Sequence, residues 1–129
     1  MPQIDIADDT FIRAPLDAVV TATADRSRWA RWWPDLRLRV SEDRGSKGTR
    51  WRVAGALTGT MEIWLEPVRH GVVVHYFLRA DFPDERVRRT RASKRARERR
   101  RRAFRREMWS LKDELEAAAR VSRTAPVGS

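Results

Sequence analysis

The sequence contains no cysteine, which excludes disulfide bonds and thiolate zinc sites. It also lacks any apolar run of membrane-spanning length, and its first ten residues carry three aspartates in place of the apolar core of a signal peptide. A chain without cysteines is suited to a reducing compartment, and we expect a cytoplasmic protein. Its 129 residues can bury one core, so we predict a single domain over residues 1–120 and a disordered tail over residues 121–129.

The motifs of common catalytic and nucleotide-binding sites are missing as well. No Ser/His/Asp arrangement and no dinucleotide fingerprint occurs, and Gly45-Ser46-Lys47-Gly48 lacks the spacing of a phosphate-binding loop, so we interpret it as a hairpin turn. The two histidines, His70 and His75, are five residues apart with no third ligand nearby, which argues against a metal site. We therefore expect no metal and no other cofactor.

Alternating hydrophobicity predicts a strand at the beginning of the chain and an antiparallel sheet in its middle. Ile4, Ile6 and Ile12 share one parity in the first strand, which ends before Pro15. Four further alternating segments are separated by glycines, as turns require, and each has a charged face opposite an apolar one. Their apolar positions are Leu36, Leu38 and Val40; Trp51 and Val53; Met61, Ile63 and Leu65; and Val72, Val74, Tyr76 and Leu78.

Helical signals predict two short helices after the first strand and one long helix at the carboxyl end. Pro15 suits the first turn of the first helix, Asp25 or Ser27 can cap the second, and Pro34 ends it. From about residue 86 the pattern becomes helical, with apolar residues spaced four and three apart. These residues are Phe104, Met108, Leu111, Leu115 and Ala118.

Five groups of residues that follow one another along the chain carry a family resemblance. They are Ile12-Arg13-Ala14-Pro15 followed by Val19; Asp25 with Trp29 and Trp32-Trp33-Pro34; Gly48-Thr49-Arg50-Trp51; Met61-Glu62-Ile63-Trp64-Leu65-Glu66-Pro67; and Leu111-Lys112-Asp113-Glu114-Leu115. Together with the predicted order of elements, they resemble the START-like (SRPBCC) superfamily, which includes polyketide cyclase/dehydrase proteins. The resemblance covers nearly the whole chain except residues 84–103 and the tail.

The resemblance implies an α+β helix-grip fold, in which a curved antiparallel sheet wraps around a long C-terminal helix and two short helices follow the first strand. It also implies an internal cavity for an apolar molecule such as a lipid or a polyketide. Members of the superfamily carry or sense such ligands, or act as cyclases. We expect a carrier or sensor, with a small aromatase/cyclase-like enzyme as the alternative. The chain departs from the family pattern because four strands, instead of the usual six, are predicted after the helix pair.

Strand parity limits which polar groups can face such a cavity. If the apolar positions point inward, Glu62, Glu66 and His75 point outward, and Tyr76 is the one polar group of these strands that points in. We therefore predict no catalytic residue. A cyclase would have to use Tyr76 together with a buried water.

Tryptophan is the most informative apolar residue, with six copies in the chain. Trp29 and Trp32 share a face of the second helix, which lies at the cavity mouth in this family, whereas Trp33 falls on a different face. Plain core packing accounts for these indoles as well as ligand contact does, and the two roles can coexist. Parity and the family's cavity position predict ligand contacts from Trp29, Trp32, Trp51, Met61, Ile63, Tyr76, Leu78 and Met108.

The positive charge is concentrated in one segment. The net charge of the chain is +10, but residues 86–106 alone hold thirteen arginines and lysines against one acid. We expect residues 86–103 to form a basic helical arm that projects beyond the sheet, because they have few apolar side chains to bury. The arm could contact an anionic membrane surface, a second copy of the chain or solvent alone. Nucleic acid is the least favoured partner, because no aromatic residue before Phe104 could stack on a base. The predicted anion- or membrane-surface residues are Arg95, Arg99, Arg100, Arg101 and Arg102.

Overall fold

The order of strands and helices agrees with the sequence prediction. The computed structural model describes residues 2–83 and 90–124, and within these ranges it contains five strands and three longer helices. They are β1 (Ile4–Ile12), α1 (Leu16–Thr23), α2 (Arg26–Trp32), β2 (Leu36–Asp43), β3 (Gly48–Gly55), β4 (Thr58–Val68), β5 (Gly71–Asp81) and α3 (Thr90–Thr124).

All five strands form one antiparallel sheet in the order β1-β5-β4-β3-β2. Strands β2 to β5 form a meander, and β1 joins its end by pairing with β5. The predicted parity is confirmed on β4, where Met61, Ile63 and Leu65 are buried while Glu62 and Glu66 are only half-buried on the other face. One face of the sheet therefore belongs to the core and the other faces outward.

The cap of α2 forms where the sequence predicts it. The Asp25 side chain accepts hydrogen bonds from the Ser27 hydroxyl (2.6 Å) and the Ser27 backbone N–H (2.9 Å). These two hydrogen bonds lower the pKa of Asp25, so the cap is a carboxylate at neutral pH. The helix ends at Trp32, since Trp33 leaves the helical conformation (φ −131°, ψ 65°) directly before Pro34.

The long helix α3 runs along β1 and buries one of its faces. At one end of the contact, Arg105 of α3 forms an ion pair with Asp8 of β1 (3.0 Å). At the other end, the Glu116 carboxylate of α3 accepts a hydrogen bond from the backbone N–H of Arg13, the residue after β1 (2.9 Å). From Phe104 onward, the buried or half-buried apolar residues of α3 are Phe104, Met108, Leu111, Leu115 and Ala119. Ala119 takes the place predicted for Ala118, because steps of three and four residues both stay near one helix face. The observed architecture confirms the predicted helix-grip fold class.

The ends of α3 differ from the predicted boundaries. The predicted start near residue 86 lies outside the described residues, within which α3 begins at Thr90. At its other end the helix continues to Thr124 and so extends four residues into the segment predicted to be disordered; residues 125–129 lie outside the described part of the chain.

The expectation that residues 86–103 project beyond the sheet is wrong for the part of the arm that carries Ala96. Ala96 is buried in the core cluster, and Arg100 forms a bidentate ion pair with Asp35, at the start of the sheet's second strand. The sequence argument counted apolar residues and so underrated alanine, which is small enough to let a helix approach closely. The basic arm from Ala96 onward therefore lies on the body of the protein.

Candidate ligand-binding cleft

Six aromatic rings lie together between α2, the sheet and the middle of α3. They belong to Trp29, Trp32, Trp33, Trp51, Tyr76 and Phe104, and all six side chains are buried. Trp29 meets Trp51 edge-on with 5.0 Å between ring centroids, and Phe104 stacks on Tyr76 at 3.9 Å. The edge-on contact is favoured by the quadrupoles of the rings, whereas the close stack is held by packing and apolar burial. Much of the interior that the fold could leave open is therefore filled by the chain's own side chains.

An open cleft of about 570 Å³ adjoins this aromatic cluster. One wall is the segment from Trp32 to Asp35, and the opposite wall is α3 between Ala96 and Phe104. The apolar part of the lining is completed by Ala56, Leu57, Tyr76 and Phe82, whereas charged side chains border the mouth. The cleft therefore has an apolar interior and a charged rim, as small-molecule sites in proteins commonly do.

Small residues on α3 create the space for the cleft. Ala96 and Ala103 are seven residues apart, which places them on one helix face two turns from each other, and both line the cleft. Further along the helix, the same row holds Ser110 and Ala117, which are exposed. The cleft thus lies beside a row of small side chains on the continuous helix α3.

Three of the buried indoles have hydrogen-bond donors without a protein acceptor. The Nε1–H of Trp29 donates to the Thr23 carbonyl oxygen (2.7 Å), but the Nε1 atoms of Trp32, Trp33 and Trp51 are buried with no partner. Buried polar groups are normally hydrogen-bonded, and an unmade bond costs on the order of 1–3 kcal/mol. Trp32 and Trp33 also line the cleft, so unused donors belong to side chains of its wall.

The Tyr76 hydroxyl is a third polar group of the cleft lining, and it stays protonated. It donates a long hydrogen bond to the sulfur of Met61 (3.6 Å). Burial raises the pKa of Tyr76 well above its usual value, and the nearby Trp33 N–H, which would favour the anion, opposes this only in part. The Trp33 N–H lies near the hydroxyl without the geometry of a hydrogen bond, so it remains available to another acceptor. At neutral pH Tyr76 is a hydrogen-bond donor and not a base.

Three ion pairs hold α2 and the segment after it against α3. Arg28 pairs with Glu114 (2.6 Å), Arg31 with Glu107 (3.8 Å) and Asp35 with Arg100 (3.2 Å). The α3 partners are seven residues apart, so they lie on one helix face, and the two chain segments run in opposite directions. Because the last pair borders the cleft, it joins the two walls at the mouth.

The structure places the sequence-predicted ligand residues in two layers. Trp32 and Tyr76 line the cleft itself. The remaining six are buried in the core behind it, namely Trp29, Trp51, Met61, Ile63, Leu78 and Met108. Trp51 packs on Trp33 (5.3 Å between centroids), so it supports the cleft wall from behind.

Sequence reasoning missed Trp33, Leu57 and Phe104 as cleft residues. Trp33 was assigned to another helix face, but α2 ends one residue earlier, and a residue outside the helix is not bound to a helix face. Its ring turns inward and stacks on Phe104 (5.7 Å). Pro34 was the signal available in the sequence, because the residue before a proline tends to be extended.

Both histidines lie away from the cleft. His75 pairs with Glu66 (2.9 Å) and stacks on Trp64 on the outer face of the sheet, as the parity argument predicts. His70 occupies the turn before β5 with a positive φ of 69°. The described residues contain no cluster of three or more His, Cys, Asp or Glu side chains that could hold a metal ion.

The five predicted anion-binding arginines do not share one environment. Arg100 is engaged with Asp35, and Arg99 borders the cleft mouth beside it. Arg95 and Arg102 lie with Arg99 along a second, fully charged groove of α3, and Arg101 is exposed.

Solved structures of other proteins share the fold of this chain. A Polyketide_cyc-like protein of Corynebacterium glutamicum, Cgl2372, is 15% identical with a TM-score of 0.56, covering 100% of this chain and 98% of its own. Aha1 of Colwellia psychrerythraea, solved as a dimer, is 16% identical with a TM-score of 0.60 over 88% of this chain and 96% of its own. The di-domain ARO/CYC StfQ of the steffimycin biosynthetic pathway is 16% identical with a TM-score of 0.53, covering 95% of this chain and 52% of its own.

The likeness to known proteins was found by comparison of structures. No protein-family model and no curated protein matches the sequence. At identities of 14–16% a structural likeness concerns the fold, not the activity. The resemblance read from the sequence is confirmed at that level: the chain has the helix-grip fold of the SRPBCC, polyketide cyclase-like proteins.

Proposed function

We propose that the protein binds an apolar small molecule that carries an acceptor oxygen, in the cleft between α3 and the Trp32–Asp35 segment. The observation that carries this proposal is the pair of buried indole N–H groups on Trp32 and Trp33, which have no protein acceptor. Both nitrogens are buried, so a carbonyl or hydroxyl oxygen of a ligand would accept from one or both of them after a small movement of the rings turns an N–H toward the cleft. The aromatic walls would cover the apolar remainder of the molecule.

The size and lining of the cleft fit a ligand of this class. Its volume of about 570 Å³ lies within the ~300–1,000 Å³ typical of small-molecule sites. Burial of apolar ligand surface stabilises the complex by about 25 cal/mol per Å², and the oxygen satisfies donors that are otherwise unpaired. The cleft therefore favours a lipid-like or polyketide-like molecule over a sugar or a nucleotide, whose many polar groups would find few partners on these walls.

Binding is favoured over catalysis by the chemistry of the side chains. Of the buried residues that the structure describes, Tyr76 is the one with a titratable side chain, and its raised pKa keeps it neutral. A neutral phenol cannot abstract a proton near pH 7, which a general base must do. We infer that the protein is a carrier or sensor. The alternative is a cyclase-like enzyme, in which the Tyr76 hydroxyl would have to act as a proton donor.

Two substitutions on the same helix face test the proposal without entering the core. Ala103 is exposed at its outer side and lines the cleft, whereas Ala117 is exposed on α3 away from it. Ala103→Trp should place an indole in the cleft and weaken binding of an environment-sensitive apolar dye at least about tenfold, because the loss of only about 55 Å² of buried apolar ligand surface corresponds to about 1.4 kcal/mol. Ala117→Trp should bind the dye as the wild type does.

The dye titration has two outcomes that contradict the proposal. Equal binding by wild type, Ala103→Trp and Ala117→Trp would show that the dye binds elsewhere. No dye binding by the wild type, in a preparation that unfolding and extraction show to be free of ligand, would show that the cleft does not take apolar molecules. Urea melts of both variants report whether either substitution disturbs the fold.

A further inference from the structure

The face of α3 that points away from the sheet carries a continuous basic stripe. Its members are Arg95, Arg99, Arg102 and Arg106, which are spaced four, three and four residues apart, and all four side chains are exposed. This spacing keeps them on one helix face over about 16 Å. The stripe lies opposite the face that buries Phe104, Met108 and Leu111.

The stripe arginines have no ion-pair partner within the described residues. Their neighbours differ, since Arg100 pairs with Asp35, Arg105 with Asp8 and Arg97 with Glu98. Lys94 and Glu98 flank the stripe and form, with Arg95, Arg99 and Arg102, a shallow charged groove. Four unpaired guanidinium groups in one row repel each other at physiological salt, so the row is suited to a partner that supplies several phosphates.

An exposed tryptophan ends the same row. Trp109 follows Arg106 by three residues, so it lies on the stripe's helix face, and 62% of its surface is accessible. The next residue of this face, Asp113, reverses the charge. Tryptophan is enriched at the boundary between lipid headgroups and acyl chains, where its ring is buried and its N–H stays hydrated.

We propose that the stripe and Trp109 dock the protein on the surface of an anionic lipid bilayer. The arginines would bind lipid phosphates, and Trp109 would enter the interface at one end of the row. Among the described residues, no helix has the length and apolar character of a membrane span. Arg99 borders both the stripe groove and the mouth of the ligand-binding cleft, which brings the mouth to the edge of the docking surface.

A bilayer is favoured over nucleic acid by the position and number of aromatic rings. Single-stranded nucleic acid is held by several aromatic platforms along a basic groove. Within the described part of α3, Trp109 is the single exposed aromatic side chain, and it stands at the end of the row and not among the arginines. One terminal indole suits an interface anchor. The docking surface stands independently of the proposed ligand, and only its use for delivery or uptake rests on the proposed function.

The test compares two double substitutions that remove the same charge from the same part of α3. Arg102→Gln with Arg106→Gln shortens the stripe, whereas Arg97→Gln with Arg101→Gln changes residues beside it. Co-sedimentation is measured with vesicles of phosphatidylcholine and phosphatidylserine, and with pure phosphatidylcholine as a control. Because each basic residue near an anionic surface contributes roughly a factor of five, the stripe variant should bind about 30-fold more weakly than wild type, and the other variant only a few-fold.

The tryptophan is tested by fluorescence quenching with brominated lipids. Bound wild type should be quenched, and Trp109→Phe should lose most of that quenching while its arginines still bind. The Ala103→Trp variant should bind vesicles like wild type, which separates failure of the docking surface from failure of the cleft. Three results would overturn the proposal: equal losses in the two double variants, no quenching of bound wild type, or retardation of a DNA duplex by a protein that ignores the anionic vesicles.

Discussion

The two halves of α3 pack against the body of the protein in different ways. From Phe104 to Ala119 the helix presents large apolar side chains, and Met108 and Leu111 are almost fully buried. Before Phe104 the contact with the body is made by alanine, and Ala96 is the buried side chain of that half within the described residues. The second half closes the core, whereas the first half borders the cleft.

One continuous helix differs between its halves because the face that buries Phe104 and Met108 in the second half carries Arg97 and Arg101 in the first. The second half is held by apolar burial, which is hard to disrupt. The first half is held by the buried Ala96 and, near the cleft mouth, by the bidentate ion pair of Arg100 with Asp35, which contributes on the order of 1 kcal/mol because Asp35 is half exposed. The half that borders the cleft is therefore attached by the weaker interactions.

Truncation of a large residue in the second half should have the largest effect on stability. Leu111→Ala should lower the free energy of unfolding by about 2–5 kcal/mol, because Leu111 is 2% exposed and its removal leaves a cavity. Urea denaturation measures the change. The matching change in the first half, Ala96→Gly, should cost only about 1 kcal/mol, mainly through helix propensity. A loss below that of Ala96→Gly would mean that the buried face of α3 has been misassigned.

Alkaline pH should act on the junction of the two halves, where Phe104 stacks on Tyr76. Burial raises the pKa of Tyr76, so above about pH 10 the unfolded chain ionises its tyrosine while the folded chain does not. Stability that is present below pH 10 is thus lost as the pH rises, by at most about 1.4 kcal/mol per pH unit. The chain has one tyrosine, so absorbance at the tyrosinate band reports this group alone.

Tyr76→Phe is the control for the alkaline experiment. This variant should lose the part of the pH dependence that comes from the phenol, while the lysines contribute to both proteins alike. In the wild type, tyrosinate should form together with unfolding. A folded protein that ionises its tyrosine near pH 10 would place Tyr76 in contact with solvent and contradict the buried donor of the cleft.

The sequence was sufficient for the sheet, because alternation of apolar residues follows directly from which face of a strand is buried. The positions of Met61, Ile63 and Leu65 illustrate this, and so does the outward direction of His75. The cleft was less accessible to prediction. Parity states that a side chain points inward, but it does not say whether the space in front of it is empty or is filled by another ring.

Two residues show why the prediction of the cleft and of the basic arm was incomplete. Trp33 is the first residue beyond α2, so the helix-face argument that set it apart did not apply to it. Ala96 was given little weight in a run of arginines, yet it is the buried contact that keeps the first half of α3 on the body. Both errors arise because the local pattern of apolar residues does not predict where a helix ends or how closely a small residue lets the helix approach its neighbours.

Native mass spectrometry of the gently purified protein shows whether the cleft holds a ligand. Wild type and Ala117→Trp should carry a bound molecule that is largely apolar and contains oxygen, and Ala103→Trp, purified in parallel, should be free of it. The same adduct on all three proteins would place the ligand outside the cleft. Wild type that neither carries an adduct nor acquires one from added fatty acids or polyketides would contradict the proposed function.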